Sequence, residues 1–323
     1  MLEVIFRRSL QAIGVVLALS FVSFVGVYKI GDPVQLLAHE AASETEIEAA
    51  AARLGLDRPF HEQYLTYIAR LASADFGTSF VSSRPVIDVI MERLPATIEL
   101  TLVAFLLSVA LGIPLGILAG LYPERLLGRS IMSVSILGFS LPNFWFGMML
   151  ILVLSVELGV LPSIGRGETD QLGGVSSALF TRDGWAHLIM PGLMLSLASI
   201  SLIIRLVSAG MREVLLLDYI KFARLKGLHE GRVVLLHGLK NVMIPVVTVL
   251  GLELGSLLAG SIVTETVFAY PGIGKLLIDS INNLDRPVIV AYLTLIVVFF
   301  VIINLVVDLL YTLLDPRARR TIR

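Results

Sequence analysis

The sequence has no cysteine among its 323 residues. Disulfides, thiolate-ligated zinc and thiol catalysis are therefore excluded, while the redox compartment stays open. Charge is scarce as well: Asp, Glu, Lys and Arg make up 16% of the chain, against roughly 25% in soluble domains. The net charge of -1 leaves no basic excess for nucleic acid. The five histidines, at 39, 61, 187, 229 and 237, include no i,i+4 pair of the kind helical metal sites use. What is abundant is apolar: 56% of the residues are hydrophobic and the mean hydropathy is +0.87. Soluble chains run at about 45–50% apolar. The balance is that of a membrane protein.

Crossing the hydrocarbon core takes roughly 20 mostly apolar residues as a helix. Six runs qualify, near 9–28, 98–121, 131–158, 187–209, 244–267 and 288–312. They are too long and too uniformly apolar for barrel strands, so each is predicted to be a helix whose amides are satisfied within the segment. The first run follows Arg7 and Arg8 with no small-residue cleavage site after it, which reads as an uncleaved signal anchor. Positive charge sets the topology. Arg125 and Arg129 lie in the second connection, six Lys or Arg lie in the fourth, and four Arg end the chain. Segment 29–97 instead holds ten acidic and six basic residues. The positive-inside rule then places both termini and the even-numbered connections in the cytoplasm.

Segment 29–97 is too long for a simple connection. In "SETEIEAAAARLGL", Ser43 and Glu46 fit a capping box, and Ile47, Ala50, Ala51 and Leu54 recur at helical spacing. A second helical pattern, "FHEQYLTYIARLA", ends at "DFGTSF". The segment is predicted to be a small extracytoplasmic helical insertion.

The stretch "DYIKFARLKGLHEGR", residues 218–232, stands out by its charge between two apolar runs. No Gly or Pro interrupts a helix from Met211 to Ala223, and Leu215, Tyr219, Phe222 and Ala223 share one side. Asp218 is placed to support Lys221 at i,i+3. Gly227 offers the positive φ that ends a helix. A second basic helix, Glu230 to Asn241, then leads to Pro245, which is expected to open the next span. A helix–Gly–helix elbow of this kind presents an apolar and basic knob suited to a groove in a soluble partner.

At these residues the chain resembles the coupling loop of ABC-transporter permeases, in the version carried by the dipeptide/oligopeptide/nickel permease family. "GDPVQLL", "LGLDRPFHEQYL", "DFGTSF", "RLPATIELTL", "PGIGKLL" and "LLDPRAR" are similar to further signatures of that family, so the resemblance extends over nearly the whole chain. Lys221, Phe222 and Ala223 stand where the general loop begins Glu-Ala-Ala, and Gly227 lies farther from Pro245 than usual; both departures are habitual in the peptide branch. The resemblance implies an all-α polytopic fold of six transmembrane helices, the type I importer permease. Residues 1–28 would form the anchor helix, 29–97 the extracytoplasmic insertion and 98–323 the permease core, with a cytoplasmic coupling loop at 211–243. It also implies a second homologous permease, two cytoplasmic ATPase subunits that bind ATP and Mg, and an external solute-binding protein. Tyr219, Phe222, Ala223, Arg224, Lys226 and Gly227 would contact the ATPases in a bacterial or archaeal cell membrane. Peptides, nickel chelates and glutathione are solutes of the family, and import is its direction.

Other motifs carry less. "AYPGIGKLL" lacks the first Gly and the hydroxyl of a phosphate-binding loop, with Ala269 and Leu276 in those places. It is read as a rigid outer turn. Gly112, Gly116 and Gly120 form a small-residue stripe for close helix packing. Glu253 follows Pro245 by eight residues, about 12 Å along a helix, near the bilayer midplane. The family tends to carry Gln there. Glu253 is a translocation-pathway candidate that favours cationic solutes, or else a carboxyl bonded to a neighbouring helix. Asn143 and Asn304 are lesser pathway candidates. The competing class, a polytopic membrane enzyme, would need a Ser/His pair or paired Asp at one depth. Ser140 and His187 fall at different depths, and Asp308 has no second Asp at its level.

Overall fold

The computed structural model describes residues 14–26 except 16 and 23, and residues 58–314 except 74 and 173. The expected capping-box helix at 43–54, the two ends of the first apolar run and the C-terminal arginines lie outside the described residues. A short apolar helix, Leu17–Gly26, falls within that first run. Apolar periodicity then produces the predicted helices in order: α1 (Phe60–Ala72), α2 (Val86–Leu121), α3 (Leu126–Ser140) and α4 (Asn143–Leu150), which continues as a π-helix through Glu157. A two-stranded antiparallel ribbon follows, β1 (Asp170–Leu172) with β2 (Val175–Ser177), the sole strand pair named among the described residues. Next come α5 (Arg182–Val214), α6 (Asp218–Leu225), α7 (Glu230–Val267, π-helical from Val233 to Leu239), α8 (Ile273–Asn282) and α9 (Arg286–Leu314).

Four of these, α2, α5, α7 and α9, are long and apolar enough to cross a membrane. The pair α3 and α4 is long and apolar enough for a further crossing when its two pieces are taken together, and it is bent by 106° at the break, the geometry of a broken span or a re-entrant loop. A continuous helix over 131–158 was the expectation, and Pro142 overturns it. Proline has no N–H and its ring drives the preceding residue out of the helical region; Leu141 is extended, at φ -77° and ψ 136°. Pro245 behaves the other way. It lies inside α7 instead of opening a span, six residues beyond a π-helical stretch.

The chain divides into two compact units, one of 1–95 with 271–302 and one of 96–270 with 303–323. In the first, the Tyr67 hydroxyl meets Thr294 Oγ1 at 2.6 Å. There too Asp285, almost fully buried, accepts from Ser79 Oγ and from the Phe80 amide. In the second, α5 is central: 61% of its most apolar window is buried, against 28–33% for the other long spans. The glycine stripe of α2 explains part of that. An added Cβ at Gly112, Gly116 or Gly120 would stand 2.7–2.8 Å from the Cβ of Ile203, Val207 or Met211 respectively. The stripe is a packing seam, as its spacing predicts.

Candidate functional site

The basic segment folds as an elbow, with two adjustments to the expected helix. Helix α5 ends at Val214, and Leu215–Leu217 turn before α6 begins at Asp218. An acidic residue in a first turn complements the positive helix end, so Asp218 marks a start. The Lys221 ammonium reaches its carboxylate at 2.9 Å and holds the Asp218 carboxyl below the usual range. Helix α6 closes at Gly227, φ 77°. The Gly227 amide donates to the Arg224 carbonyl and the Leu228 amide to that of Ala223. This pair of bonds is the glycine-terminated Schellman stop, which satisfies carbonyls the helix end leaves open.

Beyond the turn, the Arg224 guanidinium makes a two-pronged bond to Glu230, at 2.6 and 3.1 Å, and so straddles the glycine. That hydrogen bond lowers the Glu230 carboxyl below its ordinary value. Both partners are partly exposed, so the pair contributes about 0–1 kcal/mol, and its main effect is on the angle between α6 and α7. His229 caps α7 by accepting from the Gly231 amide.

The faces of α6 differ from the expected stripe. Ile220 and Ala223 are buried against Val233, with Leu215 and Leu228 around them. Phe222 is 58% exposed and Leu225 85%, and the Lys226 ammonium stands 4.6 Å above the Phe222 ring. Tyr219 is exposed too, yet its hydroxyl is fixed to α7: it accepts from Asn241 Nδ2 at 2.6 Å and donates to the His237 carbonyl at 3.3 Å. The elbow therefore turns an apolar and cationic edge to solvent on a braced base.

Two polar groups lie near the centres of long spans. Ser199, midway along α5, donates to Glu253, midway along the Lys240–Val267 part of α7. Glu253 is half-buried. An intramembrane acid costs roughly 2.5 kcal/mol or more unless it has such a partner. Asn143 is exposed at the first position of α4, at the bend. Asn304 is half-buried on α9.

A third group escaped the sequence reading. The loop before α5 carries Arg166, whose guanidinium binds Glu99 of α2 through two bonds, at 2.8 and 3.2 Å, and donates to the Ser176 carbonyl at 2.7 Å. The Ala178 amide and the Tyr270 hydroxyl also donate to Glu99. Nearby in the chain, Thr97 donates to the buried Glu265 at 2.7 Å. Burial, reinforced by the charge of Glu99, pushes the Tyr270 phenol far above its usual value. These groups fasten the ribbon-bearing loop to α2 and to the turn that follows α7. Arg205, inside the fourth apolar run, was also passed over; its charge within that run was the available signal.

Among the described residues no hydrolytic pair forms. Ser140 Oγ donates to its own helix at the Ile136 carbonyl, and His187 Nδ1 lies 2.8 Å from the Asp183 carbonyl oxygen. The side chain of Asp308 lies outside the described residues.

Long apolar spans joined to a braced polar elbow have the character of a transport permease. The chain belongs to the binding-protein-dependent transport system inner membrane components, whose family matches over residues 112–320, with the N-terminal component of the same system matching over 1–101. It is a multi-pass membrane protein of the ABC peptide-type permease group. The dipeptide transport system permease protein DppB of Escherichia coli K12 is 38% identical to it over 336 aligned positions, covering 99% of each chain. The glutathione transport system permease protein GsiC of the same strain is 41% identical over 320, again covering 99% of each. Among solved structures, the inward-facing MetNI methionine ABC transporter aligns with a TM-score of 0.58 at 19% identity, covering 72% of this chain and 99% of that one. That likeness shows the shared fold.

Proposed function

We propose that this chain forms one half of the membrane channel of a peptide importer. It pairs with a second homologous permease, two cytoplasmic ATPase subunits that bind ATP and Mg, and an external solute-binding protein. Both termini face the cytoplasm. Short peptides or glutathione-like solutes are the cargo, a reading supported by near-full-length similarity to dipeptide and glutathione permeases. Glu253 and Asn143 border the pathway, and Glu253 favours solutes bearing an amine.

The observation that carries the coupling mechanism is the exposed edge of the elbow: Phe222, Leu225 and Lys226 project from a helix whose opposite face is buried and whose far end is clamped by Arg224 and Glu230. An ATPase groove that grips this edge differently in its open and closed states shifts the permease between its two orientations; equal grip in both states shifts nothing. Residues Tyr219, Phe222, Ala223, Arg224, Lys226 and Gly227 of the 211–243 segment form the lever, with Ala223 as its packed underside.

Replacing Gly227 by Val tests this. The site has φ 77°, which costs an L-residue about 1–2 kcal/mol and a β-branched one more. The expected result is ATP hydrolysis without uptake by a complex that still inserts and assembles. Gly227→Asn, which tolerates that conformation, keeps transport. Normal uptake by the Val variant defeats the coupling account.

A further inference from the structure

Arg205 lies inside span α5, nine residues before its end at Val214, about 14 Å along the axis at 1.5 Å per residue. A cation at such depth normally marks a solute path or a paired charge. Its guanidinium has five N–H donors and no acceptor function. Among the described residues it forms no hydrogen bond or ion pair, and its Nε is enclosed without a partner. The guanidinium stacks over the Phe139 ring at 4.5 Å. Phe139 is itself exposed, and it is the penultimate residue of α3, at the edge of the 106° break.

The surroundings explain how the charge persists. The aromatic face attracts a cation, and the carbonyl end of α3 carries partial negative charge. Neither uses the donors. Immediately across the break, α4 starts at Asn143 with Pro142 as a cap that offers no side-chain bond, so its first amides also lack an intrahelical partner. An unspent guanidinium and an uncapped helix start thus flank one bend. Both prefer an anion, and a carboxylate matches the guanidinium fork with two parallel bonds.

We propose that Arg205, backed by Phe139, is a carboxylate-recognition residue of the translocation path, engaging the terminal carboxylate of a short peptide or glutathione-like solute. This rests on the peptide reading above and adds the residue that would read the acid group.

The test is uptake into proteoliposomes holding the complete transporter with its binding protein and ATP, using dialanine and dialanine amide as probes. Wild type, Arg205→Gln and Arg205→Lys are compared at equal assembled complex, measured by co-purification. Expected is a loss of roughly tenfold or more in dialanine uptake for Arg205→Gln, the scale of one charge-assisted bond. Amide uptake and solute-free ATP hydrolysis stay at wild-type levels, and Arg205→Lys recovers part of the dialanine rate. Equal loss for acid and amide overturns the proposal in favour of a structural cation. Loss of co-purification overturns it in favour of an ion pair with the partner permease, and unchanged dialanine uptake overturns it outright. If the wild type carries neither probe, the peptide reading itself fails and takes the proposal with it.

Discussion

Substituting Gly116 by Ala sets two physical effects against each other. Helix propensity alone makes the change favourable by about 0.8–1 kcal/mol. The seam between α2 and α5 opposes it. The new methyl would sit 2.7 Å from Val207 Cβ and 3.0 Å from both the Ile204 carbonyl oxygen and Val207 Cγ1. Carbon atoms pack best at about 3.5–4.0 Å, so the two helices must part by roughly 1 Å at that level. Overpacking of this kind costs about 1–3 kcal/mol, which leaves a net destabilisation of up to about 2 kcal/mol after the propensity gain is subtracted. Gly260 provides the control, because its nearest neighbour is the tip of Leu195 at 3.2 Å, a flexible group able to move aside. Thermal denaturation of the purified protein in one detergent, at one scan rate, reads the outcome. Gly116→Ala should melt below wild type and Gly260→Ala at or above it. If Gly116→Ala melts higher, propensity dominates and the seam is looser than its geometry indicates. Adding Gly112→Ala and Gly120→Ala should cost less than the sum of the three, since a separation forced at one level relieves its neighbours.

Removing Arg166 leaves Glu99 buried without its counter-ion, since the two side chains are 11% and 6% exposed. Arg166→Met should cost about 3–5 kcal/mol and expose residues 158–181 to protease, and the pair Arg166→Met with Glu99→Leu should recover much of the loss. Full protease resistance in the single variant would contradict this fastening role. Glu253→Gln keeps a group able to bond Ser199 but removes the charge. Uptake of cationic solutes should fall relative to neutral ones, and an unchanged preference among solutes of different charge would remove Glu253 from the selectivity account.

What the sequence revealed was local. The Gly227 stop, the Asp218–Lys221 pair and the four-residue glycine stripe all involve neighbours within one or two turns, where spacing alone fixes geometry. The helix break before Asp218 was also local, but three leucines in a row hide a turn when only Gly and Pro are taken as breakers. Pro142 and Pro245 show the limit of a single-residue rule. At Pro142 the flanking Leu141 yields to the extended region, whereas at Pro245 the helix continues despite the lost N–H, and burial of Val242, Val246 and Leu250 helps hold it. The Arg166–Glu99 contact joins residues 67 positions apart, and no periodicity connects a loop arginine to one acid among many. Arg205 was visible as a charge in an apolar run; its lack of a partner was not.

The π-helical stretch from Val233 to Leu239 has a consequence for the phase of everything after it. Each residue of an ordinary helix advances about 100° around the axis, so a segment with wider turns resets which side later residues face. The elbow's buried Val233, Val234 and Gly238 and the span's buried Val242, Val246 and Leu250 belong to one rod whose two halves answer to different neighbours. Deleting a single residue there would convert the wide turn to a normal one and rotate the membrane half relative to the elbow. Glu253 would then swing away from Ser199, while every side chain needed for either contact was still present.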